Sequence, residues 1–299
     1  MPIKMGRRGK AYRPLVMVSV GGGPAVPVLL DTGSSPLMLA AGAAGPGVHD
    51  TGRTGAVHYG SQKSPSVNYK EANAVVSFPG TDITTPKPIK VGIVNENATT
   101  RESLSGAYGA QGIMGIALGG ASPKMPDLLS VLTQLGAPYS DGYTVALSSH
   151  AGTVTLGAPK PTASSVVLPL TKANGTYPDG RQAWERGVNL CWQAGPAHSC
   201  GPVTVDTGAP TGAVYASGRV PQQNGMVAPG THVTLSAPNG GPPLEDWTVS
   251  SDLTTHARVS VRPGGNSGIR FFFFNTVGFN RITGQAVITP THASGLTRH

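Results

Sequence analysis

Leu29-Leu30-Asp31-Thr32-Gly33 and Thr204-Val205-Asp206-Thr207-Gly208 decide the reading of this chain. In each, an apolar, strand-like run leads straight into Asp-Thr-Gly, and the two aspartates stand 175 residues apart. One such tripeptide would be weak, because Asp and Gly are ordinary turn residues. Two copies, each behind an apolar strand, form an internal repeat. Each copy is also followed by two non-polar or β-branched residues and a glycine: Ile113-Met114-Gly115 and Thr276-Val277-Gly278. Matching motifs in matching order predict two similar lobes related by an approximate two-fold axis.

The repeat has a chemical reading. Gly33 and Gly208 permit a tight turn after the strand, which leaves each aspartate at a loop tip. The hydroxyls of Thr32 and Thr207 can bond the opposite lobe's backbone and hold the loops face to face. Two carboxylates a few ångströms apart do not both ionise easily, so they share a proton. The charged partner can draw a proton from a water between them, while the protonated one donates to a carbonyl oxygen. That is general acid–base hydrolysis without a covalent intermediate.

Composition narrows the fold. Of 299 residues only 12% are charged, while 42 are Gly and 27 are Pro. The charged share is about half the usual ~25%, and Gly plus Pro is about double its average. Little room remains for long amphipathic helices, so helical bundles and coiled coils are excluded in favour of a turn-rich all-β protein. Apolar, β-branched runs recur at 15–20, 26–30, 74–78, 89–94, 143–147, 153–156 and 166–170, each bounded by Gly, Pro, Asn or Ser. These are strand signatures. One helix is predicted over Pro126–Leu135, whose apolar residues 128, 131, 132 and 135 share a face. The run Phe271–Phe274 reads as a buried central strand. The segment around Pro159–Ser165 is the expected crossing between halves.

Several function classes fall away. The formal charge is +8, yet outside Lys4, Arg7, Arg8 and Lys10 the basic residues are scattered, with no nucleic-acid-binding motif. There is no apolar run of ~18 residues to span a membrane. The eight histidines include no His-Glu-x-x-His and no zinc-ligand spacing, so no metal site and no cofactor is expected. Cys191 and Cys200 read equally as a hairpin clip in an oxidising compartment or as two free thiols. The basic start lacks the apolar stretch of a secretory signal.

From roughly Leu15 to Pro290 the chain resembles the pepsin-like, two-lobed aspartic proteases in a compact bacterial form. The resemblance rests on Asp31-Thr32-Gly33-Ser34-Ser35, the flap-like His58-Tyr59-Gly60-Ser61, Gly112-Ile113-Met114-Gly115-Ile116 and Leu128–Leu135. It continues through Tyr143–Leu147, Gly152–Gly157, Val205-Asp206-Thr207-Gly208 and Phe274–Gly278. The opening stretch Val18–Asp31 is also similar to protease domains of actinobacterial, especially mycobacterial, surface proteins. The resemblance implies an all-β fold with one or two short helices, bilobal and pseudo-two-fold symmetric. It divides the chain into a basic N-terminal extension (1–14), a first lobe with the flap (15–160), a second lobe (161–290) and a polar tail (291–299). It makes Asp31 and Asp206 the catalytic pair, supported by Thr32, Gly33, Ser34, Thr207 and Gly208. Ser34 bonds the outer oxygen of the first aspartate, and Tyr59 and Gly60 belong to a flap over an extended polypeptide substrate.

Two departures stand out. Ala209 occupies the position of the usual hydroxyl residue, and Pro210 follows it. One hydrogen bond fewer should leave that carboxylate less acidic, moving the activity optimum toward neutrality. A second reading makes the same fold a structural or interaction module, such as a minor tail protein of an actinobacteriophage, contacting neighbouring subunits of a tail or surface assembly. Its location would then be a virion, or a bacterial surface reached by a non-classical route.

Overall fold

The computed structural model describes residues 1–9, 11–59, 66–95, 97, 102–104, 106–119, 128–250 and 255–291. Gly60, Ser61, Pro126, Asp127 and all of the expected polar tail except Thr291 lie outside these residues.

The first half is built around the strand that delivers Asp31. Strand β1 (Pro2–Arg8) forms a hairpin with β2 (Ala11–Val20), which pairs antiparallel with β3 (Val26–Asp31), Leu15 opposite Leu29. Val28, Leu29 and Leu30 are all buried, as an apolar run covered on both faces requires. Beyond β4 (Leu37–Ala40), the hairpin β5 (His49–His58) and β6 (Ser66–Ala74) reaches out to Tyr59. The short β7 (Val76–Ser77) returns to β2, and β8 (Ile89–Val94) pairs with both β6 and β4. Strand β9 (Gly112–Gly115) then slots between β3 and β4, parallel to the former, so that Gly115 stands opposite Asp31. Gly115 is bare for a steric reason, since a β-carbon there would lie 2.5 Å from the backbone of Ser34 and Ser35.

A hydrogen-bonded sheet joins the halves. Strands β10 (Gly142–Leu147) and β11 (Ala151–Leu156) form a hairpin, and β11 pairs with β1. From the second half, β12 (Val166–Thr176) runs into β13 (Gln182–Ala194) and β14 (Ala197–Thr204), which ends at Asp206's doorstep. The short strands β15 (Gly212–Val214), β16 (Gln222–Gln223) and β17 (Met226–Val227) precede the hairpin β18 (His232–Ser236) and β19 (Pro243–Thr248), and β20 (Ala257–Val259) closes on β15 and β17. Finally β21 (Asn275–Asn280) pairs with β10 and with β22 (Gln285–Pro290), and β22 with β12. The shared sheet therefore runs β1-β11-β10-β21-β22-β12, three strands from each half. The segment 157–165 that links the halves carries no strand.

Four details differ from the sequence reading. The basic start is strand β1 of the shared sheet rather than an appended extension. The helix expected over 126–135 is, in its described part, one 3-10 turn, Val131–Gln134; the Ser130 hydroxyl accepts from Leu132 N–H at 3.3 Å. Its apolar face is nonetheless buried at Leu128, Val131, Leu132 and Leu135. Phe271–Phe274 forms a single helical turn, with Phe272 N–H donating to Ile269 and Phe273 N–H to Arg270; Phe271 and Phe272 enter the core. Strand structure begins only at Asn275. Thr276-Val277-Gly278 lies in the shared sheet, paired with β10, and does not stand beside Asp206 as Gly115 stands beside Asp31. The segment that does is Asn266-Ser267-Gly268: Thr204 and Asn266 form a parallel bridge, and Ile269 N–H donates to Ala209.

Cys191 and Cys200, directly opposite across β13 and β14, form a disulfide. Arg281 is a buried cation at the junction of the halves. Its Nε donates to the Ser140 carbonyl at 2.6 Å, its Nη2 to Asp179 at 2.6 Å, and its guanidinium stacks 5.0 Å from the Tyr177 ring centre. The Tyr177 hydroxyl continues the chain of contacts to the Leu118 carbonyl. Arg281→Ala should lower the unfolding free energy by about 3 kcal/mol, because the buried Ser140 carbonyl loses its donor and the fully buried guanidinium leaves a void beside Tyr177. Asp179→Ala, at a side chain 40% exposed, should lower it by about 1 kcal/mol or less. Chemical denaturation measures both, and equal effects would contradict this ranking.

Candidate active site

The two Asp-Thr-Gly loops meet where the halves join, and their threonines hold them. Thr32 N–H donates to Thr207 Oγ1 at 3.1 Å, and Thr207 N–H donates to Thr32 Oγ1 at 2.9 Å. Each hydroxyl passes its own proton onward, Thr32 Oγ1 to the Val205 carbonyl (2.7 Å) and Thr207 Oγ1 to the Leu30 carbonyl (2.6 Å). Both threonines are buried, so the four bonds are made away from water.

The glycines have a different reason for being there. Neither Gly33 nor Gly208 has a positive φ. A β-carbon on Gly33 would instead lie 2.4 Å from Asp206 Cγ, and one on Gly208 would lie 2.5 Å from Asp31 Cγ. Each carboxyl group rests on the bare backbone of the opposite loop. The close approach of the two acids requires glycine at both positions.

Asp31 is buried and Asp206 half-buried. Each carboxylate accepts the N–H of its own loop's glycine, Gly33 to Asp31 Oδ1 at 2.8 Å and Gly208 to Asp206 Oδ1 at 2.7 Å. On the other oxygen the loops diverge. Ser34 Oγ donates to Asp31 Oδ2 at 2.6 Å, whereas Asp206 Oδ2 receives Asn266 Nδ2 at 2.6 Å. Ala209 therefore does not leave its aspartate short of a donor. Asn266, oriented by the bond from Gly268 N–H to its Oδ1 (2.8 Å), reaches in from the segment beside the loop. Asp206 N–H is held by Ser267 Oγ at 3.1 Å. Burial and the negative charge of Asp206 push the Asp31 carboxyl up to about 7, against the bonds from Ser34 and Gly33 that favour its charged form.

Tyr59 follows β5 and packs, half-buried, against the apolar cluster that includes Leu29, Met38 and Val57. Its hydroxyl is buried with no hydrogen-bond partner. Burial first, and the Asp31 charge next, raise its pKa well above the ordinary phenol value. Gly60, its expected partner in the flap, is outside the described residues. The sequence reading did not name three contributors: Asn266, Arg186, whose Nη1 donates to the Gly33 carbonyl at 2.9 Å, and Arg13, whose charge acts on both aspartates. Asn266 could have been sought, because Ala209 leaves a vacant donor position; the arginines are distant in sequence and ordinary in context. Among the described residues, the remaining cluster of possible metal ligands is Cys191, His198 and Cys200, and its sulfurs are bonded to each other.

Residues 1–285 match the family of PE-PGRS C-terminal aspartyl peptidase-like domains. The chain belongs to this family. The fold of this aspartyl peptidase-like domain is that of the pepsin-like aspartic proteinases. Against the aspartic proteinase from Irpex lacteus it gives a TM-score of 0.66 over 100% of this chain and 99% of that one, at 19% sequence identity. No curated protein matches the chain. No helix among the described residues is long and apolar enough to cross a membrane.

The threonine lattice generates a direct test. Thr207→Val keeps the branched shape and removes the hydroxyl, stranding the Leu30 carbonyl and the Thr32 N–H. The unfolding free energy should fall by about 2–4 kcal/mol, and Thr207→Ser should recover most of it. An unchanged denaturation midpoint for the valine variant contradicts the assignment.

Proposed function

We propose that this domain is an aspartic endopeptidase, with Asp31 and Asp206 as the catalytic pair. The observation that carries the reading is the mutual seating of the two carboxyl groups, each over the other loop's glycine. Such proximity makes one proton shared between two acids the stable state at moderate pH. In this reading the pair holds one proton, and the burial of Asp31 beside the Asp206 charge makes Asp31 its carrier before substrate binds. A water between them gives its proton to Asp206 as its oxygen bonds to the peptide carbonyl carbon. Asp31 donates to the carbonyl oxygen, forming a neutral tetrahedral diol. Collapse breaks the C–N bond as Asp206 passes its proton to the leaving nitrogen and Asp31 takes one from a diol hydroxyl, which leaves an acid, an amine and the pair with its single proton.

Ser34 and Asn266 would hold the carboxyl planes, and Gly33 and Gly208 N–H would fix their inner oxygens. The hairpin β5–β6 would cover a substrate lying as an extended strand, where main-chain hydrogen bonds supply affinity and side-chain pockets supply preference. Tyr59, with an unpaired buried hydroxyl beside Asp31, is the flap residue best placed to follow substrate entry.

Asp31→Asn and Asp206→Asn should each lower cleavage of an unfolded protein substrate at least about a hundred-fold while leaving the thermal transition in place. Undiminished cleavage by a folded variant would refute the assignment of Asp31 and Asp206 as the catalytic pair.

The pH profile gives a second check. Above about pH 7 Asp31 loses the proton the mechanism needs, so kcat/KM should fall on the alkaline side of that value. A profile with its maximum below about pH 3 contradicts a pair whose shared proton is held by burial up to neutral pH.

A further inference from the structure

The sequence places a cation where a peptide-binding cleft next to two aspartates has no evident need of one. In the β2–β3 pairing Leu15 stands opposite Leu29. Continuing that register by one side-chain repeat on each strand brings Arg13 level with Asp31, on the same strand face as Leu15. The opposite edge of β2 pairs with β1, Arg13 beside Gly6. Gly6 is bare against Tyr108: a β-carbon there would lie 2.9 Å from the Tyr108 carbonyl oxygen and 3.2 Å from its Cβ. Tyr108 can therefore close onto the hairpin, and the Arg13 guanidinium stacks 5.2 Å from its ring centre. The stack fixes the plane of the guanidinium beside the aspartate pair.

What the guanidinium lacks is a partner. Its Nε and Nη1 are buried and make no hydrogen bond. Leaving such a donor unsatisfied costs about 1–3 kcal/mol, more for a charged group, and folded proteins leave few of them. The other buried or site-facing arginines each hold at least one acceptor: Arg281 those of Ser140 and Asp179, although its Nη1 has none, Arg270 that of Glu245, and Arg186 the Gly33 carbonyl. Arg13 feels the charges of Asp31 and Asp206 but forms an ion pair with neither among the described residues. A half-buried arginine held in plane, with Nε and Nη1 desolvated and unpaired, is a prepared site for a planar anion, and a carboxylate matches its fork with two parallel bonds.

We propose that Arg13 selects an acidic side chain in the bound peptide, so that the substrates of this site are acidic polypeptides. Arg186 on β13 adds a second, exposed cation beside Gly33, and the chain as a whole carries +8, so approach of an acidic chain is favoured over the whole path. The inference rests on the reading of the cleft as a peptide-binding site, and it concerns binding rather than bond cleavage.

The test is fluorescence anisotropy on the full chain carrying Asp31→Asn, so that bound peptides persist. The probes are fluorescein-labelled ten-residue peptides of Ala, Leu and Phe that differ in having one Glu, Gln or Lys at each position in turn. At one or two positions the Glu peptide should bind about tenfold more tightly than the Gln peptide, corresponding to about 1.4 kcal/mol, with Lys weaker than both. Adding Arg13→Gln should erase the difference, and Arg13→Glu should invert it toward Lys. Arg13→Lys, which keeps charge but not the fork, should retain the sign at reduced size. Equal binding of Glu and Gln peptides by the Asp31→Asn protein overturns the proposal even if no Arg13 variant folds. So does a preference that survives Arg13→Gln, and so does failure to bind any of the peptides at millimolar concentration. A glutamate preference without cleavage by the wild-type chain would leave this inference standing and remove the peptidase reading. Cleavage without any charge preference would do the reverse.

Discussion

Everything about this molecule turns on two loops that cannot be built separately. Each threonine of an Asp-Thr-Gly loop takes the backbone N–H of the other and hands its own proton to a carbonyl of the opposite half. Each glycine leaves room for the other loop's carboxyl group. Hydrogen bonding fixes the spacing, and missing atoms permit it. The energetic tension of the site, two acids held within reach of each other, is sustained by four buried bonds directly beneath.

The two halves reach the same geometry by different chemistry. On one side a serine three residues after the aspartate bonds its outer oxygen; on the other an asparagine sixty residues away does so. The symmetry lies in positions of donors, not in residue identities. The segment standing beside each loop shows the same divergence. In the first half it is the apolar Ile113-Met114-Gly115, and in the second the polar Asn266-Ser267-Gly268. A polar segment is tolerated there because its side chains are consumed by the loop: Asn266 by the carboxylate, Ser267 by the Asp206 N–H.

Those facts explain what could be read in advance. Strands such as Val26–Asp31 and Ile89–Val94 were legible because apolar β-branched runs between turn residues encode both their type and their length. The aspartates and threonines were legible because the motif is contiguous and occurs twice. The second Gly-containing partner segment was misassigned, since Thr276-Val277-Gly278 has the right pattern and Asn266-Ser267-Gly268 has only the right place. Periodicity found the buried face of Leu128–Leu135 but not its backbone, because burial spacing constrains side chains and Ser130 captures the first turn. Phe271–Phe274 is apolar enough for a buried strand or a buried turn, and only its neighbours decide between them. Asn266, Arg13 and Arg186 meet the site through tertiary packing alone, which no local pattern records.

The sheet shared between the halves sets a limit on how such a protein can be divided. Its central pairing joins β10 of the first half to β21 of the second, Tyr143 opposite Phe279. A chain severed between residues 157 and 165 would yield two pieces that each end in a naked strand edge. Each would also carry a single aspartate loop with no threonine to grip. Such a piece has one economical way to satisfy its edge, which is to pair with another copy of itself about a two-fold axis. The covalent link between the halves therefore does more than connect them: it replaces a concentration-dependent meeting of identical pieces with an internal one, and so frees the two sides to become different.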